Sequence, residues 1–172
     1  MPNHFHLIVW PNTDDELARF MAWLTATHSK RWHAWRGTNG TGHVCQKRYK
    51  AFPVSNDTHF LRACRYVERN ALRADLVARA EDWNWSSLAQ RAGRRSAVSL
   101  TEWPVTRPSD WLELVQLPVM DETQELRQAV RRSSPYGPAT WRVQIATELH
   151  LASSLVRSDV PEPRETTTRV SV

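Results

Sequence analysis

A chain of 172 residues, 41% hydrophobic and 24% charged, has room for one domain with a core plus an appendage, and too little for two large domains. Five Gly and ten Pro exclude a fibrous or low-complexity protein, and nine Trp exclude a disordered one. The formal net charge of +5 is unevenly placed: from His28 to Arg73 ten basic residues stand against Asp57 and Glu68, so the remainder is −3. A basic middle suits a polyanion, because Lys and Arg contacts to phosphates release condensed counterions. A solvated surface with scattered charge accounts for the same count equally well. The apolar stretch Phe5 to Trp10 is stopped by Pro11 and has no basic segment ahead of it. Neither a signal peptide nor a membrane span is therefore expected, and the protein is expected to be cytoplasmic. Without an export signal, Cys45 and Cys64 are read as reduced thiols used for packing.

In chain order, His4 to Trp10 alternates Phe5, Leu7 and Val9 with His4, His6, Ile8 and Trp10, the pattern of a strand apolar on both faces inside a covered sheet. Thr13-Asp14-Asp15-Glu16 has the spacing of a capping box. Leu17, Phe20, Met21 and Leu24 follow at helical spacing, which predicts a helix from about Asp14 to Trp35. The Gly cluster at 37–42 marks a turn and lacks the patterns of a phosphate loop. Val44 to Val54 reads as a strand carrying Lys47, Arg48 and Lys50, a basic edge fit to meet nucleic acid. Asn56 or Asp57 can cap a helix running to about Val77. On it Phe60, Ala63, Cys64, Val67, Ala71 and Ala74 share one arc, while Arg62, Tyr66, Arg69, Asn70 and Arg73 lie opposite. Residues 91–120, with Pro104, Pro108 and Pro118, form a partly irregular connector. Glu122 to Arg132 and Thr140 to His150 predict two short helices around the turn Ser134 to Pro138, a helical C-terminal extension over 121–156. The tail over 157–172 is expected to be disordered.

Two places carry candidate chemistry. On a strand, His4 and His6 point to one side with Cα atoms roughly 6.6 Å apart, and two imidazoles on one face can hold a divalent cation. Two histidines meeting polar groups within a sheet would look the same. On the helix, Tyr66 lies off the apolar stripe with Asn70 one turn on. A phenol is protonated at neutral pH and needs nearby cations or a base to act as a nucleophile. Arg62, Arg69 and a metal would supply the cations, although a surface Tyr lying over its own helix explains the position as well. Trp32 and Trp35 offer stacking surfaces for unpaired bases, but burial is the expected use of both.

The segments Met1 to Leu7, Gly42 to Lys50, Tyr66 to Val77 and Trp85 to Ser87 resemble, in that order, the motifs of REP-associated tyrosine transposases, members of the HUH single-tyrosine, insertion-sequence type. Pro135-Tyr136-Gly137 with Trp141, and Leu149 to Leu155, resemble the C-terminal part of one branch. The resemblance implies an α+β, ferredoxin-like HUH nuclease domain over 1–90, followed by the connector and the small helical extension. It implies metal ligands at His4, His6 and Asn70, with magnesium or manganese as the cofactor, and the nucleophile at Tyr66. It further implies a single-stranded or hairpin DNA partner, cleaved and rejoined through a 5′-phosphotyrosine, with Lys47, Arg48, Lys50, Arg62, Arg69 and Arg73 holding the backbone. A homodimer is compatible with this reading and a membrane partner is not. Relatives carry a strand and a helix ahead of the histidine motif. Here Met1 stands three residues before His4, so the domain is expected to be N-terminally incomplete. Ala71 replaces the Pro that relatives usually carry.

Two rivals remain at this point: a catalytically inactive, truncated or domesticated protein that binds DNA hairpins, and a metal-dependent hydrolase in which Tyr66 is structural. Tyr49, in the basic strand, and Tyr136, in a Pro/Gly turn, are weaker nucleophile candidates.

Overall fold

The computed structural model describes residues 1, 3–45, 48–118 and 122–155. Its helices are α1 (Glu16–Arg36), α2 (Thr58–Glu68), α3 (Asn70–Arg73), α4 (Ser87–Arg91), α5 (Trp111–Gln116), α6 (Glu122–Arg132) and α7 (Ala139–Glu148), with 3₁₀ turns at Ala80–Asp82 and Ala152–Leu155. Among the described residues the β-pairing is a parallel bridge between Val54 and Tyr136, and no sheet forms.

The expected α+β, ferredoxin-like domain is therefore overturned. Alternating apolar side chains make a strand only when a neighbour completes the hydrogen-bond ladder. His4 to Trp10 finds none: among the described residues, its backbone groups bond to no other backbone group. Phe5, Leu7, Ile8, Val9 and Trp10 remain 41–61% exposed instead of covered on two faces. The described part of the second expected strand, Val44 to Val54, likewise forms only the single bridge at its end.

The helices follow local chemistry more closely. At the start of α1, Glu16 reaches back to the Asn12 amide at 2.6 Å, and the Thr13 hydroxyl donates to Asp15. The carboxylate half of a capping box is thus present, one residue earlier than its spacing predicts, while Asp15 holds the N-cap position. α1 ends at Gly37, whose φ of +66° suits a residue without Cβ. Its one buried side chain is Met21. At α2, Asp57 accepts from the His59 amide at 2.8 Å and from the Ser55 hydroxyl at 2.7 Å. The helix predicted to reach Val77 instead breaks at Arg69 and resumes as the short α3. It stops where Asp75 turns left-handed, its amide bonding the Leu72 carbonyl and the Leu76 amide that of Ala71.

Packing then places the core. Phe60 and Cys64 of α2 meet Leu88 of α4, Trp111 and Val115 of α5, and Ala80. Residues 91–120 thus carry a helix that buries two side chains in the main core. Burial, and Glu68 next to it, push the Cys64 thiol up to about 12, so it packs as an inert apolar group, and both cysteines are free thiols. A second cluster joins Leu126 and Ala129 of α6 to Tyr136, with Phe52, Val54 and Tyr66 against it. The tail over 157–172, expected to be disordered, lies outside the described residues, as does Val156 at the end of the expected extension.

Candidate functional site

Tyr66 projects from the last turn of α2, and Asn70 opens α3 one turn later. The N-terminal segment brings its two histidines to them without a sheet. The His4 and His6 rings are 5.1 Å apart and nearly perpendicular, and the His6 ring meets the Tyr66 ring edge-on at 5.6 Å. Arg73 closes the group: its guanidinium carbon lies 5.6 Å from the Tyr66 ring centroid, and its NH2 donates to Asn70 Oδ1 at 2.7 Å. His6 and Asn70 also border an open groove of about 1340 Å³ that continues past Trp85 and Arg94.

Burial lowers the basicity of both imidazoles. His6 is brought down to about 4, first by burial and then by the charges of His4 and Arg73, and His4 is lowered too, first by burial and then by the N-terminal ammonium and Arg73. Both rings are thus neutral at pH 7 and keep a lone pair, the form a metal requires. His4 Nδ1 donates to Asn3 Oδ1 at 2.7 Å, which leaves Nε2 as the acceptor nitrogen. His6 Nε2 is buried and has no hydrogen-bond partner. Both nitrogens are of the donor type that a divalent cation takes. The Asn70 oxygen does not fit as placed, because it accepts from Arg73, while its Nδ2 is buried and unpartnered. Among the described residues no group of three or more His, Cys, Asp or Glu forms a metal cluster.

The expected DNA-binding residues separate. Lys47 lies outside the described residues. Arg48 is exposed, whereas Lys50 donates to the Arg131 carbonyl at 2.9 Å and so fastens the end of α6. Arg62 is half-buried on α2. Arg69 donates to the Gln116 carbonyl at 3.4 Å, and Arg65 to that of Leu117 at 3.0 Å, so both guanidinium groups satisfy open carbonyls at the end of α5. Arg73 stands beside the Tyr66 ring and is exposed.

Sequence reasoning missed the support beneath the site. Glu68, 3% exposed, accepts from Ser87 Oγ at 2.6 Å and from Trp111 Nε1 at 2.7 Å, with Arg91 Nε at 3.9 Å. Ser86 caps α4 by accepting from the Leu88 amide. The Trp85-Ser86-Ser87 segment therefore starts one helix and locks another. A carboxylate in the helical register of the apolar residues Cys64 and Ala71 was the available signal, since a buried charge requires partners. Among the described residues no helix is long and apolar enough to cross a membrane. Comparison with protein-family models, with curated proteins and with solved structures finds no match for this chain.

Proposed function

We propose that this protein is a metal-dependent DNA strand-transferase that uses Tyr66 as its nucleophile. The observation that carries this reading is the meeting, from distant parts of the chain, of two neutral imidazoles, a phenol and an exposed guanidinium. Each supplies one requirement of phosphodiester cleavage. Arg73 holds a phosphate next to the phenol. The Tyr66 oxygen attacks phosphorus, the bond from phosphorus to the 3′ oxygen breaks, and the DNA is left with a 5′-phosphotyrosine and a 3′-hydroxyl. The phenol proton passes to solvent and the leaving oxygen takes one up. The phosphotyrosine keeps the bond energy, so a second 3′-hydroxyl can reverse the step without a nucleotide cofactor. His4 and His6 would hold the cation, magnesium or manganese, which would polarise a phosphoryl oxygen, an effect worth several kcal/mol at the transition state. The resemblance to REP-associated tyrosine transposases points to the same residues and to single-stranded hairpin DNA as substrate.

Incubation of the full chain with manganese and single-stranded hairpin DNA is expected to give a covalent adduct that survives denaturation. Tyr66→Phe removes the oxygen that forms it, so the adduct is lost. An adduct that persists in Tyr66→Phe overturns the assignment. Salt-sensitive DNA binding with no adduct and no metal requirement supports instead a binding protein without catalysis, the reading favoured by the engagement of Asn70 with Arg73.

A further inference from the structure

The last three turns of α1 expose what was expected to be buried. Trp35 is 72% and Trp32 39% exposed. Their rings are 5.8 Å apart, and the Arg36 guanidinium lies 4.6 Å from the Trp35 ring and 5.1 Å from that of Trp32. His28 adds a ring 6.1 Å from Trp32. Positions 28, 32, 35 and 36 recur at the spacing that puts side chains on one helical face. Arg31 flanks that face, and the sequence contains no Asp or Glu from Leu17 to Asn56.

We propose that this face is a stacking platform for single-stranded nucleic acid, with Trp32 and Trp35 taking unpaired bases and Arg31 and Arg36 taking the flanking phosphates. Exposed indole rings beside cations, in a stretch of sequence without acids, fit a ligand that alternates π-faces with negative charge. A bilayer surface needs a continuous apolar face. Between His28 and Arg36 the only apolar residue besides the two tryptophans is Ala34. Duplex DNA offers phosphates but keeps its base faces stacked inside. As a grip on the substrate strand the platform rests on the strand-transferase reading, and its test does not require catalysis.

Fluorescence anisotropy of a labelled single-stranded thymidine oligonucleotide, titrated with the full chain at fixed salt, measures the affinity. Trp35→Ala is expected to weaken binding about tenfold, and Trp32→Ala/Trp35→Ala about a hundredfold, whereas Trp35→Phe retains most of it. Both tryptophans are exposed and Ala favours a helix, so circular dichroism of the variants should match the parent. A duplex of the same sequence is expected to bind more weakly than the single strand to the parent protein, and nearly alike to the double variant. Unchanged affinity in the double variant, or equal affinity of the parent for single strand and duplex, overturns the proposal. So does binding to phosphatidylserine vesicles that the double variant loses while its oligonucleotide affinity stays. Covalent trapping is read separately. No adduct with intact Trp-dependent affinity removes the transferase reading alone, and an adduct from a double variant that binds as tightly as the parent removes the platform alone.

Discussion

Glu68 and Tyr66 sit two residues apart on α2 and serve opposite ends of the same design, one fixed in the core and the other turned to the site. Burying a carboxylate costs several kcal/mol unless donors surround it, and here Ser87, Trp111 and Arg91 do so. Glu68→Ala leaves the Trp111 N–H and a guanidinium without their acceptor and opens a cavity, so a loss of about 2–4 kcal/mol is expected. Glu68→Gln keeps the volume and one acceptor oxygen and should lose less than half of that. Urea unfolding monitored by circular dichroism checks both values. A Glu68→Ala midpoint equal to that of the parent would mean that the network contributes nothing.

Asp57 shows the same dependence of an element on one group. Its carboxylate accepts from the His59 amide at the start of α2 and from Ser55 and the His59 ring. Burial raises its pKa, but the bonds from the His59 amide, Ser55 and the His59 ring together outweigh this and leave it below the usual carboxylate range. A carboxyl depressed on folding stabilises the protein fully above its unfolded value of about 3.9, and loses that contribution as pH falls through its lower folded value. Asp57→Ala is therefore expected to cost about 1 kcal/mol at pH 7, with the gap from the parent narrowing below about pH 4, while Asp57→Asn keeps most of the cap. Thermal melts from pH 7 to 2 test this, and a gap independent of pH removes the carboxylate from the account. Helix periodicity is likewise local in the sequence, and α1, α6 and α7 begin and end within about two residues of their sequence-based limits. Strands need a second segment, and the alternation in His4 to Trp10 carries no information on whether one is there. The break at Arg69 was illegible for a related reason: Arg65 and Arg69 turn to the carbonyls of α5, a helix 47 residues or more away along the chain. At the site, Tyr66, Asn70 and the histidine pair were legible as residues, but the hold of Arg73 on Asn70 was not, because charge spacing does not say which acceptor an arginine takes.

Across the molecule, the C-terminal helices bear on Tyr66. Tyr66 packs against the cluster of Leu126, Ala129 and Tyr136, and that cluster is fastened to the body by two backbone bonds, Tyr136 N–H to Pro53 at 2.9 Å and Ser55 N–H to Tyr136 at 3.0 Å. The close approach needs a residue without a side chain at Gly137, where a Cβ would stand 2.5 Å from Trp141 Cε3 and 2.9 Å from Ser55 Cβ. Gly137→Ala must therefore push the Trp141 ring or the 53–55 segment outward, at about 1–3 kcal/mol. Because the strain falls first on the bridge, which borders the main core around Trp111 and Val115 through Val54, the expected result is largely local. The Ser55 and Tyr136 amides should exchange with deuterium faster while the amides of α4 keep their protection, and the Tyr66 adduct should form more slowly, since the surface behind the ring is loosened. Unchanged exchange at both amides would show that α6 and α7 are held by other contacts. Faster exchange with an unaltered rate of adduct formation would show that the ring is positioned from the histidine side alone.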